Sequence, residues 1–222
     1  MMSQKKQQAK PQAPKHINRL EPLSSELWLE EEGLYQRFEL TDHTFRREVA
    51  ERVIFEHVSF SQITFEECVL PALECSDVVF KKCDLSNVKV PRAIFHRVQF
   101  IECKLLGVDF ADAAFRHVEF IDCHMPLSSY AFVSLKHVRF NRCVLRGADF
   151  YDASLEHVEL NRCDIHEVQF SQTTLSGIDL SSCQFETLTV SMDDLKGSYI
   201  STEQATAFVK AFGLYIVEDE ES

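Results

Sequence analysis

The chain has 222 residues, 45% of them apolar, and a net charge of −12 at pH 7. No apolar run approaches the roughly 20 residues of a membrane span, and no apolar secretion core opens the chain, so a cytoplasmic protein is expected. With six Gly in all, no phosphate-cradling Gly loop, no Ser-His-Asp spacing and no paired carboxylates in a concave setting, the common catalytic layouts are excluded. A non-enzyme without cofactor or resident metal is expected.

Residues 1–19 carry Lys5, Lys6, Lys10, Lys15 and Arg19 without an acid, and read as a disordered basic tail. Residues 20–35 reverse the sign, with Glu21, Glu26, Glu30, Glu31 and Glu32 around Leu27, Trp28 and Leu29. Ser25 suits the start of a short helix stopped by Gly33, and Glu32-Gly33 equally suits the turn of a hairpin between Leu27–Leu29 and Leu34–Phe38. Either way Trp28 is expected as a lid, because the first coil of a solenoid exposes an apolar end.

From about residue 36 to Ile200 the organising feature is a count of five. Stepping from Phe55, a large column runs Phe60, Phe65, Leu70, Cys75, Phe80 and onward to Ile200, without a charge. Two residues earlier runs a smaller column, Val53, Val58, Ile63, Cys68, Leu73, onward to Cys183. Helices repeat apolar positions every three or four residues and strands every two, so a strict five requires a turn in every unit. Pro71, Pro91 and Pro126 all fall just after the large residue, where a turn accepts a fixed φ.

A second period sets the circuit. Cys83, Cys103, Cys123, Cys143, Cys163 and Cys183 recur every twenty residues, so four units close one coil. The prediction is a square solenoid of roughly eight coils, stacked at about 4.8 Å. Its core is rich in phenylalanine, 14 of the 18 Phe being in register from Phe45 on. All eight Cys fall on these columns and read as buried, reduced thiols.

Units such as Ala148-Asp149-Phe150, Ala93-Ile94-Phe95, Cys83-Asp84-Leu85 and Cys103-Lys104-Leu105 resemble the pentapeptide-repeat family. The resemblance covers about two thirds of the chain and implies an all-β fold, a right-handed quadrilateral β-helix with a short C-terminal helical cap. Ser201 or Thr202 caps a helix reaching Phe212, with Phe208 on its apolar face and Gly213 as the stop, followed by a strand at Leu214–Val217 and an acidic tail over 218–222. This stretch resembles the cap through which Qnr-like members dimerise, which implies a homodimer through Phe208, Phe212, Leu214 and Ile216.

On the surface, the period of twenty makes ladders. His117, His137 and His157 share one corner with His57, Asp77 and Arg97, where a Zn or Ni stack or a response to mild acid stands against plain exposed corner residues. Asp109, Asp112, Asp149 and Asp152 cluster on one face, and Glu102, Glu119 and Asp122 on the opposite side. Ile101 with Ile121, and Phe132 beside Tyr151, are expected as exposed apolar pairs. Residues 35–217 carry 18 Lys and Arg against 26 Asp and Glu, and such a negative rod attracts a groove built for DNA.

The resemblance to Qnr- and MfpA-like members implies a binding scaffold that mimics DNA on DNA gyrase or topoisomerase IV, without direct nucleic-acid binding by the solenoid. The unbroken register of Val53–Ile200 departs from the looped Qnr pattern. The alternative is an adaptor that docks an unrelated protein through a ladder.

Overall fold

The computed structural model describes residues 10–17, 20–23, 27–211 and 215. Phe212, Gly213, Leu214, Ile216 and the 218–222 tail lie outside the described residues, as do Lys5, Lys6, Arg19, Ser25 and Glu26.

Each unit is a short extended step followed by a corner, and every fifth residue from Glu32 to Gly177 has a left-handed φ between +50° and +82°. A left-handed residue at each corner bends the chain while the two residues beside the large position stay extended, so both apolar side chains of a unit face inward. Four corners return the chain to its start. Face A is centred on Phe55 and its equivalents, face B on Phe60, face C on Phe65 and face D on Leu70.

The strands are β1 (Glu21–Pro22), β2 (Leu34–Gln36), β3 (Phe38–Thr41), β4 (Thr44–Arg46), β5 (Ile54–Ser61), β6 (Thr64–Glu66), β7 (Glu74–Lys81), β8 (Ile94–Ile101), β9 (Ala114–Ile121), β10 (Ser134–Asn141) and β11 (Ser154–Asn161). The eight-residue strands run through the corner between faces A and B and pair in parallel at a step of twenty, as Phe80↔Phe100 and Phe100↔Phe120 show. Beyond the β4–β6 pair on face C, faces C and D are held by single bridges such as Lys104↔His124 and Asp109↔Ser129. The result is a quadrilateral β-solenoid of about 7 turns.

Every large-column residue from Phe45 to Leu180 is buried except Leu155, which is half-buried. Stacking follows from the parallel register: the rings of Phe80, Phe100, Phe120 and Phe140 lie 4.8, 4.8 and 4.9 Å apart and within 6° of parallel. The void lined by Phe55, Phe65, Phe80, Phe95 and Phe110 measures about 10 Å³, too small to hold a water comfortably. All eight Cys are free and buried. In the small column each of Cys103, Cys123, Cys143 and Cys163 donates its thiol to the carbonyl 23 residues earlier at 3.3 to 3.4 Å.

Four features differ from the sequence reading. Trp28 is 66% exposed, and Leu29, 7% exposed, enters the core in its place. The stretch between Leu27 and Phe38 forms neither helix nor antiparallel hairpin, because Leu34–Gln36 already pairs in parallel with Ile54–Glu56 as part of the first coil. Within the expected basic tail, the Lys15 amide donates to Asp77 at 2.8 Å and its carbonyl meets His57 Nδ1 at 3.2 Å, which ties this segment to the corner between faces A and B.

At the far end one unit leaves the pattern before coil pairing resumes at Asp179↔Tyr199. Asp193 falls in the small column, where a buried carboxylate would be unpaired, and the chain instead forms the short helix α1 (Met192–Leu195), whose Ser191 cap accepts from the Asp194 amide at 3.0 Å. Helix α2 (Thr202–Ala211) then follows a reciprocal cap. The Gln204 amide donates to Ser201 Oγ at 3.2 Å, while the Ser201 amide donates to the Gln204 side chain at 2.9 Å.

Candidate docking interface

A solenoid with a filled interior offers only its outside, so the candidate sites are its faces and corners. On face D the outward positions form one bridged ladder, Val69, Lys89, Asp109, Ser129, Asp149, Gln169 and Thr189. Asp109 accepts from the Ala111 amide at 3.0 Å and Asp149 from the Tyr151 amide at 2.9 Å, so both carboxylates are fixed in place by the turn that follows them. Asp112 and Asp152 sit at the corner between faces D and A with φ of +59° and +50°. None of these four makes an ion pair among the described residues.

The acids on the opposite side differ. Glu119 meets Arg139 at 3.4 Å, Asp122 meets Arg142 at 2.6 Å and Glu102 meets Lys82 at 3.7 Å. Arg142 holds the Asp122 carboxyl below its usual range. The negative surface expected on two sides is therefore compensated on face B, while the four Asp at face D make no ion pair among the described residues, with Lys89 one rung from Asp109.

The expected apolar pairs also separate. Ile101 and Ile121 are half-buried as register partners on β8 and β9. Phe132 and Tyr151 are exposed and meet edge to face at 5.5 Å, with Phe132 in the same corner column as Asp112 and Asp152. On the other border of face D stand Leu127, 67% exposed, and Leu106. This acidic line flanked by two apolar corners is thus one continuous surface, and the acidic and apolar sites read separately from the sequence coincide there. The signal for Leu127 was present in the sequence: it stands between Gly107 and Gly147 in its corner column, and a Cβ on Gly147 would lie 2.9 Å from Leu127 Cδ2.

The imidazoles of His117, His137 and His157 stack 4.8 and 4.7 Å apart, within 10° and 11° of parallel. Parallel rings direct their lone pairs side by side instead of toward a common point, so this column is not built to chelate Zn or Ni. Among the described residues no group of three His, Cys, Asp or Glu could hold a metal. The ring stack is instead a desolvated base column. Burial lowers the His117 and His137 pKa values, each helped by the next imidazole up the stack, and burial followed by Arg97 does the same at His96.

At the C-terminal end Phe208 is buried against Phe185, with ring centroids 5.4 Å apart. Gln204 donates to the carbonyls of Leu180 and Cys183, both at 2.8 Å, which plugs the last coil with α2. The other residues of the expected dimer cap, Phe212, Leu214 and Ile216, lie outside the described residues.

The family model described as the pentapeptide repeat region matches residues 73–150 and 133–206. This chain belongs to the pentapeptide-repeat family. Among solved structures it is similar to the pentapeptide repeat protein Rfr23 from the cyanobacterium Cyanothece 51142, at 14% identity over 58% of this chain and 91% of that one, with a TM-score of 0.40. QnrB1, a plasmid-mediated fluoroquinolone resistance protein, is 16% identical over 86% of this chain and 100% of that one, with a TM-score of 0.38. HetL, involved in heterocyst differentiation regulation in Nostoc sp. strain PCC 7120, is 17% identical over 77% and 84% of the two chains, with a TM-score of 0.33. No curated protein matches the chain in sequence. As a member of the family the protein is a repeat scaffold.

Proposed function

We propose that this pentapeptide-repeat scaffold docks through face D onto the basic, nucleic-acid-binding groove of another protein, with a type II topoisomerase such as DNA gyrase or topoisomerase IV as the partner class. The observation that carries this reading is that Asp109, Asp112, Asp149 and Asp152 have no cation partner among the described residues, whereas Glu102, Glu119 and Asp122 each have one. Uncompensated carboxylates on a rigid flat surface attract the same Lys and Arg groups that receive phosphate. Carboxylates two rungs apart, such as Asp109 and Asp149, are separated by about 10 Å. Phe132, Tyr151 and Leu127 supply apolar contact that a phosphate backbone lacks, and so favour a protein groove over general polycation binding.

The test is a supercoiling assay with purified gyrase, together with direct binding at two salt concentrations. Inhibition by the wild-type chain and its loss in the Asp109→Asn/Asp112→Asn/Asp149→Asn/Asp152→Asn variant are expected. No effect of the wild-type chain at micromolar concentration overturns the topoisomerase reading. Binding that depends on Phe132→Ser but ignores the four Asn changes would instead favour an adaptor using an apolar interface.

A further inference from the structure

We propose that Arg116, His117 and His137 form an anion site at the corner between faces A and B, which takes a doubly charged tetrahedral oxyanion, sulfate or a phosphoryl group, together with protons. These three side chains are what remains uncommitted once the polar contacts along that corner are assigned. On face A, Arg116 is the register partner of His96 on β8 and of Lys136 on β10. Lys136 is held by Glu156 at 2.7 Å, whereas Arg116 is exposed and makes neither an ion pair nor a hydrogen bond among the described residues.

The four imidazoles divide in the same way. His96 Nε2 accepts from Arg97 Nη1 at 2.8 Å, and His157 Nε2 lies 3.9 Å from Glu156, so both ends of the column are occupied. The two middle rings are not. Nδ1 of His117 and of His137 is buried without a hydrogen-bond partner, which leaves Nε2 as the nitrogen that reaches solvent. A buried N–H without an acceptor is rarer than a buried lone pair without a donor, so the proton of each neutral ring is assigned to Nε2, where it points outward.

Geometry then selects the ligand. The rings of His117 and His137 are 4.8 Å apart and within 10° of parallel, so their outward N–H groups run side by side. A single acceptor atom midway between them would lie far off both N–H axes. Two oxygens on one central atom lean in only slightly from those axes, and each accepts at an ordinary N–H···O distance of about 2.9 Å. Arg116, on the same rung as His117, adds a planar fork of donors for a third oxygen. A carboxylate, with two oxygens, leaves either Arg116 or one ring unanswered.

Charge selects the valence and the pH. Asp77 answers Arg97, Glu156 answers Lys136, and Glu119 and Glu159 share Arg139. With Arg116 added, four cations stand against four carboxylates, so the corner is neutral while His117 and His137 are neutral and gains two positive charges when both protonate. Burial first, then the adjacent imidazoles, with Arg116 acting on both rings and Lys136 on His137, holds the two below their ordinary value against Glu156. A dianion among these groups reverses that balance by favouring the charged rings, and by reciprocity its affinity rises as pH falls.

The experiment titrates the full chain with sodium sulfate at constant ionic strength and reads the imidazole nitrogens by proton–nitrogen correlation NMR. Sulfate keeps its double charge throughout, so any pH dependence belongs to the protein. Saturable shifts at His117 and His137 are expected, with an affinity about tenfold higher at pH 5.5 than at pH 7.5. Acetate should give no saturable shift. Arg116→Gln, at an exposed position, should weaken sulfate about fivefold, and Arg116→Lys should recover part of the loss. By calorimetry, His117→Gln/His137→Gln should bind with no pH dependence, whereas His157→Gln, whose ring already faces Glu156, should behave as the wild-type chain. Inorganic phosphate and O-phosphoserine separate the two sources of a phosphoryl group: equal binding supports an ester ligand at this site, and binding of phosphate alone supports the free ion there. Absence of saturable sulfate binding, equal affinity at the two pH values, equal binding of acetate, or undiminished affinity in Arg116→Gln overturns the proposal.

Discussion

Arg97 closes on Asp77 with two hydrogen bonds of 2.6 Å each, one coil apart, and Asp77 is 3% exposed. Burial pushes this carboxyl up, but Arg97 and the Lys15 amide outweigh it and hold it below its usual value. Removing one member of such a pair strands a buried charge, whereas replacing both with apolar groups is often neutral. Asp77→Ala should therefore cost about 3 kcal/mol in urea unfolding, and Asp77→Leu/Arg97→Met much less. The single variant should also free the segment held at Lys15, seen as faster hydrogen exchange and proteolysis near residues 10–17. A double variant as unstable as Asp77→Ala would refute this account of the pair.

The imidazole column one step along the same corner gives the opposite kind of electrostatics. Burial first, and then mostly cationic neighbours, Arg97, Arg116, Lys136 and His157, hold His96, His117 and His137 below their ordinary value of 6.5, with Asp77 opposing at His96 and Glu156 at His137. The unfolded chain then binds more protons than the folded one below about pH 6.5, so stability is full above that pH and is lost as pH falls through the depressed values. The urea midpoint should drop from pH 7 to pH 5, and His117→Gln/His137→Gln should flatten the drop. A pH profile unchanged in that variant would place the acid sensitivity elsewhere.

The fold was legible from the columns because a strict five admits no helix and no simple strand, and Phe45 through Leu180 are placed as the count requires. What the count could not show was where it stops mattering. Asp193 holds a column position in sequence, but a carboxylate will not enter the core, so that unit becomes the short helix α1 before the coil pairing resumes at Asp179↔Tyr199. The apolar end of the first coil calls for a cover, which pointed to Trp28, but the neighbouring Leu29 is the residue that enters the core there. The acids of face D were visible as letters. Their lack of cation partners was not, since the ion pairs of faces A and B depend on which residues meet across rungs.

Tyr130 replaces the phenylalanine of its column and stacks between Phe110 and Phe150 at 5.2 and 4.6 Å. Its hydroxyl is buried and finds no hydrogen-bond partner among the described residues. Burying such a group costs about 1 to 3 kcal/mol, while the ring itself contributes what phenylalanine would. Tyr130→Phe should raise the urea midpoint by an amount equivalent to about 1 kcal/mol. A loss of stability would mean that the hydroxyl holds a bond worth more than its burial.

The corners carry an energetic load that single substitutions can expose. A left-handed residue with a Cβ costs about 1–2 kcal/mol relative to the right-handed form, and Gly escapes this at an entropic cost of about 0.5–1 kcal/mol. Ala72, with φ of +53°, has only a methyl group to lose. Ala72→Gly should stabilise the chain by about 0.5 kcal/mol. Gly147 at φ +64° is the converse, because an added Cβ brings both the left-handed cost and a 2.9 Å approach to Leu127 Cδ2. Gly147→Ala should destabilise by more than 1 kcal/mol, about the backbone cost alone, and Leu127→Ala in the same chain should recover the part due to the contact. If both single changes shifted the unfolding midpoint in the same direction, left-handed strain would not be what governs these turns.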